Sequence, residues 1–452
     1  MSMASLLSIR LWRALSMQAR HPAMLVFAAN MTRSGLAFLL GLVVARGLGP
    51  ADFGLFTTFI VATILAHNLI GEGFDPGVVR FYAKCRDSDP ARAPMILGSA
   101  IAMRGLLVIP MLLIVLGIAH WLAPALREVL QLAALTAMAA SFATLSLAVL
   151  QARERFVAYA LLTPLVNLLR LLSVPMLWLA GVFTLWSLMW THALFFALAA
   201  VIGMRLLRED LQQARFESTA VRQLFRFGKW TALANLSFLL QVNLAVPVLT
   251  QAKGAAQAGL YSAAATLLLF IDQFTVALLT VNLPSTSRIE TLAELRAYVK
   301  RLAPRLVTVS LALCLLVPLS DPVVALVFGP AYAGSAEVMR VLLPGFIATL
   351  LSHPLYLVLF SFDRPHWYTA SGLIALAMWC ALAWWLVPAH GLVGAAWATT
   401  GSRVLQALMI FVMVRYTIAH RPIPHAPDTD SDSPTETLLK PASAQTEQAP
   451  RP

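Results

Sequence analysis

The sequence contains little charge: Asp, Glu, Lys and Arg make up 12% of its 452 residues, about half their share in soluble domains. This scarcity excludes an ordinary soluble domain, whose surface is largely charged and polar. Ten-residue segments of alternating polarity, which form outer-membrane barrels, are also missing from the sequence. The composition, 59% hydrophobic with a mean hydropathy of +0.77, therefore indicates an integral membrane protein built from helices.

Cysteine is scarce as well. Cys85, Cys314 and Cys380 lie far apart without metal-ligand spacing, which argues against a disulfide framework or a zinc site. The sequence also lacks a nucleophile motif, a phosphate-binding loop and a metal-ligand cluster. We therefore expect no enzyme activity and no resident cofactor. A cleavable signal peptide is not apparent either, because three arginines interrupt the leucines of the first 20 residues.

Twelve apolar runs of sufficient length to cross a bilayer, about 20 residues each, follow one another between residues 22 and 414. Because some connections between the runs are short, eleven or thirteen spans are also possible. A basic, polar stretch separates two sets of six runs, and a tail rich in Pro, Ser and Thr follows the last one. The predicted fold is all-α, and its parts are an interfacial N-terminal helix (1–21), an N-lobe (22–204), a cytoplasmic basic linker helix (205–229), a C-lobe (230–414) and a disordered cytoplasmic tail (415–452).

The positive charge is distributed unevenly along these runs. The net charge is +12, and 25 of the 33 Lys and Arg residues fall on the side of the linker, against 4 on the other side. Because cytoplasmic loops retain Lys and Arg, both termini are predicted to lie in the cytoplasm. The same bias accounts for the basic composition without a nucleic-acid partner.

A shift of 205 residues aligns the two halves of the chain. It places Gly49–Phe56 on Gly254–Tyr261 and Asn30 on Asn235. An even number of spans separates the copies, so the halves share one orientation and are related by a pseudo-two-fold axis along the membrane normal. Glycines that only form tight turns are the simpler interpretation, but the agreement of two glycines, a Leu-aromatic pair and an asparagine at one offset favours an internal repeat.

Four arginines fall near the middle of predicted spans: Arg33, Arg104, Arg170 and Arg403. An arginine there costs about 2.5 to 3.5 kcal/mol on insertion scales and normally faces a partner or a wet cavity. With Asp272 as the only acid near a span centre, a positive surplus remains that a diphosphate could neutralise. The alternative for each arginine is a tie between helices without substrate contact.

Asparagines accompany two of these arginines. Asn30 and Asn167 each lie three residues before an arginine, on the same helix face. In the second half Asn235 persists, but Phe238 occupies the position that matches Arg33, so the cationic surface is predicted mostly for the N-lobe. The predicted substrate-binding residues are Arg33, Arg170, Arg104, Arg403, Asn30, Asn167 and Asn235.

Three acids are candidates for coupling to a proton or sodium gradient: Asp272, Glu72 and Asp75. Asp272 could alternatively pair with an arginine. Glu72 and Asp75 could alternatively end a span and pair with nearby bases such as Arg80, with His67 and its neighbours in packing roles.

Several stretches carry a resemblance to a known family. They are "ARGLGPADFGLF" (45–56), "GEGFDPGVVRFYAK" (71–84), "LQARERFVAYALL" (150–162), "AGLYSAAATL" (258–267) and "VFGPAYAGSAEVMRVLLPG" (327–345). In order and spacing the chain, over about residues 20 to 418, resembles the polysaccharide and O-antigen flippases of the multidrug, oligosaccharidyl-lipid and polysaccharide exporter superfamily.

The resemblance implies two six-helix bundles that alternate between inward- and outward-open shapes. It further implies that an undecaprenyl-diphosphate-linked glycan crosses the bacterial inner membrane, with membrane lipid and polysaccharide-assembly proteins as partners. One departure puts ion coupling by the seventh span in doubt: many relatives carry an acid there, whereas this chain offers Gln241 and Asn243. A peptidoglycan-precursor flippase, a multidrug or cation antiporter, and a membrane glycosyltransferase or polymerase remain as alternatives.

Overall fold

The computed structural model describes residues 22–122, 124–286, 292–361 and 365–419. Within these ranges the regular elements are helices and no strand occurs. The predicted N-terminal helix (1–21) and the predicted tail beyond residue 419 lie outside the described residues.

The fourteen α-helices of the described ranges are labelled in chain order. They are α1 (Pro22–Ile70), α2 (Asp75–Ser88), α3 (Ala93–His120), α4 (Pro124–Ala152), α5 (Phe156–Leu179), α6 (Leu185–Leu206), α7 (Arg208–Gln213), α8 (Ser218–Asn243), α9 (Ala245–Lys253), α10 (Ala255–Thr286), α11 (Leu292–Cys314), α12 (Ser320–Phe328), α13 (Ser335–Ser361) and α14 (Pro365–Ala419). Short 3-10 turns at Glu72–Phe74 and Pro330–Tyr332 connect α1 to α2 and α12 to α13.

Seven described helices are long and apolar enough to cross a membrane, or eight if the bent pair α8 and α9 forms one span. Two of the seven, α1 and α14, are interrupted by non-helical residues at Gly49 and Gly391. Each of these long helices therefore comprises two spans, one that crosses the membrane and a second that crosses back. This organisation agrees with the predicted all-α membrane fold of about 12 spans.

Glycines with positive φ end the spans on one side of the molecule, which we name the turn end; the opposite side is the linker end. The left-handed values are 77° at Gly49, 70° at Gly181, 90° at Gly254, 92° at Gly329 and 56° at Gly391. Only glycine adopts such backbone without a Cβ clash. Gly49 and Gly254, which the 205-residue shift aligns, thus have the same backbone conformation as well as the same sequence context.

The two lobes meet near the turn end, where α1 crosses α10. A Cβ on Gly54 would lie 1.8 Å from the carbonyl oxygen of Ala255, and one on Gly259 would lie 1.8 Å from that of Pro50. The two contacts exchange under the 205-residue shift. Equivalent residues that contact each other reciprocally define a local two-fold axis, so this crossing confirms the predicted repeat.

A hydrogen bond reinforces the crossing. The hydroxyl oxygens of Thr57 and Ser262, again 205 residues apart, are separated by 3.0 Å. The Thr58 hydroxyl lies 2.7 Å from that of Thr250, and Tyr332 donates to the carbonyl oxygen of Ala45 at 2.7 Å. Together these bonds hold the lobes closed at the turn end.

The linker predicted as one helix over 205–229 has a different form. It contains α7 and the first part of α8, separated by a loop, and α8 continues into the C-lobe. The loop is held by α3: the Ser99 hydroxyl exchanges hydrogen bonds of 3.1 Å with both backbone groups of Glu217. Gly98 packs against the backbone of Arg215. These tertiary contacts interrupt a helix that its sequence spacing favours.

An ion pair at this loop gives a testable pH dependence. Arg92 Nη2 lies 2.8 Å from Glu217 Oε1, and hydrogen bonds from Arg92 and Thr219 hold the pKa of the Glu217 carboxyl below its ordinary value. The ion pair therefore stabilises the folded protein fully at a pH above the ordinary pKa of a glutamate, about 4.3. This stabilisation is lost as the pH falls through the lowered pKa of Glu217 in the folded protein. We expect Glu217→Gln to lower the free energy of unfolding by about 0.5 kcal/mol at neutral pH.

Thermal unfolding of the purified protein at decreasing pH checks this expectation. The difference between wild type and Glu217→Gln should vanish once the carboxyl is protonated. Glu209→Gln is the matched control, since the Glu209 side chain is 79% exposed. A difference that stays constant down to the lowest pH would assign the effect to packing instead.

Candidate functional site

The predicted cationic residues of the N-lobe meet where α1 packs against α5. The Asn167 side-chain nitrogen donates to the carbonyl oxygen of Arg33 at 3.1 Å, and Arg170 Nη1 donates to Asn167 Oδ1 at 3.3 Å. Asn167 thus links the Arg170 side chain to the backbone of Arg33, which is itself exposed. Asn30 donates to the carbonyl oxygen of Val26 in its own helix instead. That these residues bind a substrate stays a prediction.

Arg170 is a buried cation. Its side chain is 9% exposed, and its guanidinium lies 5.7 Å from the centre of the Phe56 ring. Among the residues that the structure describes, no carboxylate forms an ion pair with it. A buried guanidinium with only an amide and a ring for partners retains donors for an anion.

A histidine lies close to Arg170. His192 on α6 is 4% exposed and packs between the rings of Phe59 and Phe196, with centroids 5.3 and 4.9 Å away. Its Nδ1 is buried and lacks a hydrogen-bond partner among the described atoms. No sequence pattern singles out this residue, because it is a single histidine inside an apolar helix.

Arg104 is held by an acid and by a neighbouring helix, and its binding of a substrate stays a prediction. It is 1% exposed, its Nη2 forms an ion pair with Asp75, and its Nη1 donates to the carbonyl oxygen of Ser141 at 2.6 Å. Gly71 makes room for the guanidinium, since a Cβ there would lie 2.8 Å from it. The interpretation of Asp75 as a partner of bases such as Arg80 is corrected accordingly.

His67 and Glu72 form a second N-lobe pair. His67 Nε2 lies 2.6 Å from Glu72 Oε2, and His67 Nδ1 lies 2.8 Å from the carbonyl oxygen of Thr63. Arg80, the other partner considered for Glu72, instead lies over the Phe227 ring at 5.0 Å. His67 therefore contacts both Glu72 and the backbone of its own helix.

The C-lobe contains a small cavity of about 60 Å³, enough for about two water molecules. Arg403 and Asp272 line it and form a two-point ion pair, with Nη1–Oδ1 and Nη2–Oδ2 distances of 3.1 and 2.9 Å. The Arg403 guanidinium also lies 3.9 Å from the centre of the Phe346 ring. Arg403 is thus neutralised within its own lobe.

Two amides complete the polar wall of this cavity. Gln241 donates to Gln406 at 3.1 Å, and Phe238, which aligns with Arg33, lines the same cavity. Asn235, the repeat partner of Asn30, is exposed. The substrate-binding roles of Asn235 and Arg403 and the coupling role of Asp272 stay predictions.

The charge balance inferred from the sequence needs correction. The sequence-based count compared four central arginines with one central acid. In the structure, Asp75 forms an ion pair with Arg104, and Asp272 forms one with Arg403. Within the described residues, Arg33 and Arg170 form no ion pair with a carboxylate. The cationic surplus is therefore smaller and lies in the N-lobe alone.

One signal could have found His67. It aligns with Asp272 at the 205-residue offset, so both lobes carry an ionisable group at this place on α1 and α10. Each group is paired, His67 with Glu72 and Asp272 with Arg403. The partners do not align in sequence, which hid the correspondence.

Comparison with known proteins adds a family. The family model described as "Polysaccharide biosynthesis protein" matches residues 22–290, more than half of the chain. No curated protein matches significantly.

Solved structures share the fold. The inward-facing conformation of a multidrug resistance MATE family transporter of the MOP superfamily has a TM-score of 0.66 at 15% identity, covering 86% of this chain and 94% of its own. The lipid II flippase MurJ in an inward closed conformation has a TM-score of 0.70 at 12% identity, covering 87% of each chain. A MOP superfamily transporter from Pyrococcus furiosus has a TM-score of 0.60 at 14% identity, covering 89% and 95%.

Proposed function

The chain belongs to the polysaccharide biosynthesis protein family, and from this premise we propose that it is a flippase for an undecaprenyl-diphosphate-linked oligosaccharide. The cargo is a polysaccharide or O-antigen repeat unit. The protein moves it from the cytoplasmic to the outer leaflet of the bacterial inner membrane. The polyprenyl tail stays in lipid while the sugar and the diphosphate pass between the lobes, which alternate in access to the two sides.

Arg170 is the observation that carries this proposal. Its guanidinium is buried and has no carboxylate partner among the described residues. An uncompensated buried charge is costly, and a diphosphate oxygen would relieve that cost through paired, charge-assisted hydrogen bonds. Arg33, whose backbone carbonyl accepts from Asn167, is proposed as a second cation for the same ligand.

The other predicted residues take supporting places in this proposal. Arg104 and Arg403 are held by Asp75 and Asp272, so either would contact cargo only after its ion pair opens. Both termini face the cytoplasm, as the distribution of Lys and Arg favours. In that orientation the linker end is cytoplasmic, and the turn end, with its crossing of α1 and α10, faces outward.

A peptidoglycan-precursor flippase is the second candidate. A specific likeness favours it, because the lipid II flippase MurJ shares the fold and its cargo would present the same diphosphate to Arg170. The cation antiporter is less well supported, since buried carboxylates without cationic partners would suit a cationic drug. Glu72, Asp75 and Asp272 each have a basic partner.

A translocation assay in vesicles tests the proposal. A fluorescent lipid-diphosphate glycan is placed in the inner leaflet, and its arrival at the outer face is read with an added quencher. Because a hydrogen bond to a charged group contributes about 1.5 to 3 kcal/mol, we expect Arg170→Gln to slow transport by about tenfold or more. Arg80→Gln is the matched control, since Arg80 is an exposed arginine outside the site.

Three outcomes bear on the assignment. Unchanged transport by Arg170→Gln at equal protein levels would remove Arg170 from the site. Faster movement of a peptidoglycan precursor than of an oligosaccharide repeat unit would favour the second candidate. Transport of neither would reject the flippase function.

A further inference from the structure

His67 and Glu72 are placed to share one proton. His67 Nδ1 lies 2.8 Å from the carbonyl oxygen of Thr63, and because a carbonyl oxygen only accepts, Nδ1 must carry a hydrogen. Nε2 then lies 2.6 Å from Glu72 Oε2. Two bare acceptors would repel each other at that distance, so a second hydrogen lies between them. This geometry fits the proton-loaded form of the pair, whichever of the two atoms holds the proton.

Ionisable groups surround this pair from several helices. The groups close enough to act on the pair, directly or through a neighbour, are Arg33 of α1, Asp75 of α2, Arg104 of α3, Arg170 of α5 and His192 of α6. From α4, the Ser141 hydroxyl accepts from Arg104 at 3.0 Å. From α8, Thr231 donates to the carbonyl oxygen of Gly73 at 3.2 Å, while the basic Arg226 and Lys229 are exposed.

The shared proton sets the net charge of this cluster. When the proton is present, the His67–Glu72 pair is neutral overall and the Asp75–Arg104 pair is neutral as well. Arg33 and Arg170 then remain as uncompensated cations. When the proton leaves, Glu72 is an anion beside a neutral His67, and it offsets one of the two cations. The loaded form therefore attracts an anion more strongly than the empty form.

The two members of the pair differ in exposure. The Glu72 side chain is 35% exposed, whereas that of His67 is 10% exposed. Glu72 lies in the 3-10 turn that joins α1 to α2, so its carboxyl can exchange a proton while both helices stay folded. The more deeply buried His67 fixes the position of the pair, and the Glu72 carboxyl is the group that exchanges the proton.

We propose that the His67–Glu72 pair is a proton-binding site that couples anion binding in the N-lobe to proton uptake: a diphosphate-bearing lipid and one proton bind together. The coupling rests on the proposed function, because the anion is the proposed cargo. By linkage, the anion favours the protonated pair as much as the proton favours the anion. A proton would therefore accompany the cargo rather than exchange against it.

Calorimetric titration of the purified, full-length protein tests the coupling. The probe is a short polyprenyl-diphosphate-linked sugar, whose phosphates are diesters and do not titrate near neutral pH. Titrations in two buffers of different ionisation enthalpy count the protons that are taken up. For the wild type, we expect uptake of up to one proton per ligand, and an affinity that weakens by up to tenfold per pH unit once the pair is empty.

Two conservative variants distinguish the proton-loaded form of the His67–Glu72 pair from the empty form. Glu72→Gln presents a neutral amide that donates to His67, as the loaded pair does, so the affinity should stay high and independent of pH. His67→Gln leaves Glu72 ionised beside an uncharged donor, so the affinity should be low and equally independent of pH. Thermal unfolding of both variants confirms that they are folded.

The outcomes separate the coupling from the function. Binding by the wild type with no proton uptake and no pH dependence overturns the coupling and leaves the function standing. A pH dependence that persists in Glu72→Gln also overturns it. Absence of binding at every pH overturns the proposed function, and the coupling falls with it.

Discussion

A disulfide between positions 57 and 262 is expected to abolish translocation, and its reduction is expected to restore it. Thr57 and Ser262 belong to different lobes and lie next to the local two-fold axis, with hydroxyl oxygens 3.0 Å apart. Alternating access requires the lobes to separate at the turn end, which a covalent bond of about 2.05 Å between these positions forbids. The locked protein should retain its fold and its closed turn end.

The variant Thr57→Cys/Ser262→Cys is prepared with Cys85, Cys314 and Cys380 replaced by serine, so that only one disulfide forms. Transport is measured in vesicles after oxidation and again after reduction. A matched control is Thr184→Cys/Ser187→Cys, whose hydroxyl oxygens are also 3.0 Å apart but within one lobe. Full transport by the oxidised cross-lobe variant would mean that the turn end does not open during the cycle.

Gly54→Ala is expected to destabilise the closed turn end by about 1 to 3 kcal/mol, the usual range for overpacking. The added methyl group would lie 1.8 Å from the carbonyl oxygen of Ala255, a backbone atom that cannot rotate away. The helices must therefore separate, and the hydrogen bond between Thr57 and Ser262 is lost. At one factor of ten per 1.4 kcal/mol, the ratio of closed to open protein should fall by about fivefold to a hundredfold.

Distances between spin labels at Ala51 and Ala256 measure this population. Both residues are exposed at the turn end and are equivalent under the repeat, so the label distance reports the separation of the lobes directly. Gly259→Ala should act like Gly54→Ala, because the contacts are reciprocal. Gly35→Ala on the same helix is the control: its Cβ would meet no atom within 4 Å, and the change should only favour the helix.

A label distance in Gly54→Ala identical to that of the wild type would contradict this account. It would mean that the backbones can accommodate a methyl group at the crossing. An effect of Gly35→Ala as large as that of Gly54→Ala would equally assign the result to general helix stability rather than to the contact between lobes.

The repeat could be read from the sequence in some detail. The shift of 205 residues aligned Gly49 with Gly254, and both have positive φ. The same shift aligns Thr57 with Ser262 and His67 with Asp272, but these residue types do not by themselves indicate a repeat. Glycines stand out because only they fit the turn, whereas Thr, Ser and His have many roles in a helix.

The pairing of the charges could not be read in the same way. Asp75 and Arg104 lie 29 residues apart, and Asp272 and Arg403 lie 131 residues apart. Which acid reaches which arginine depends on how the helices pack, and neither hydropathy nor spacing reports that. The linker loop is a similar case, since contacts with Ser99 interrupt a stretch with helical periodicity.

The amino-acid sequence alone determined the membrane class, the helical fold and the repeat, because each follows from a property that every residue contributes locally: its cost of transfer into lipid, its backbone freedom, its position along the chain. Tertiary structure alone decided that Arg170 pairs with no acid among the described residues, that His67 contacts Glu72, and that α1 and α10 cross where Gly54 meets Gly259. Those outcomes depend on short-range contacts between helices that are distant in the chain, and a change of a few ångströms in packing would alter them without altering the hydropathy of a single span.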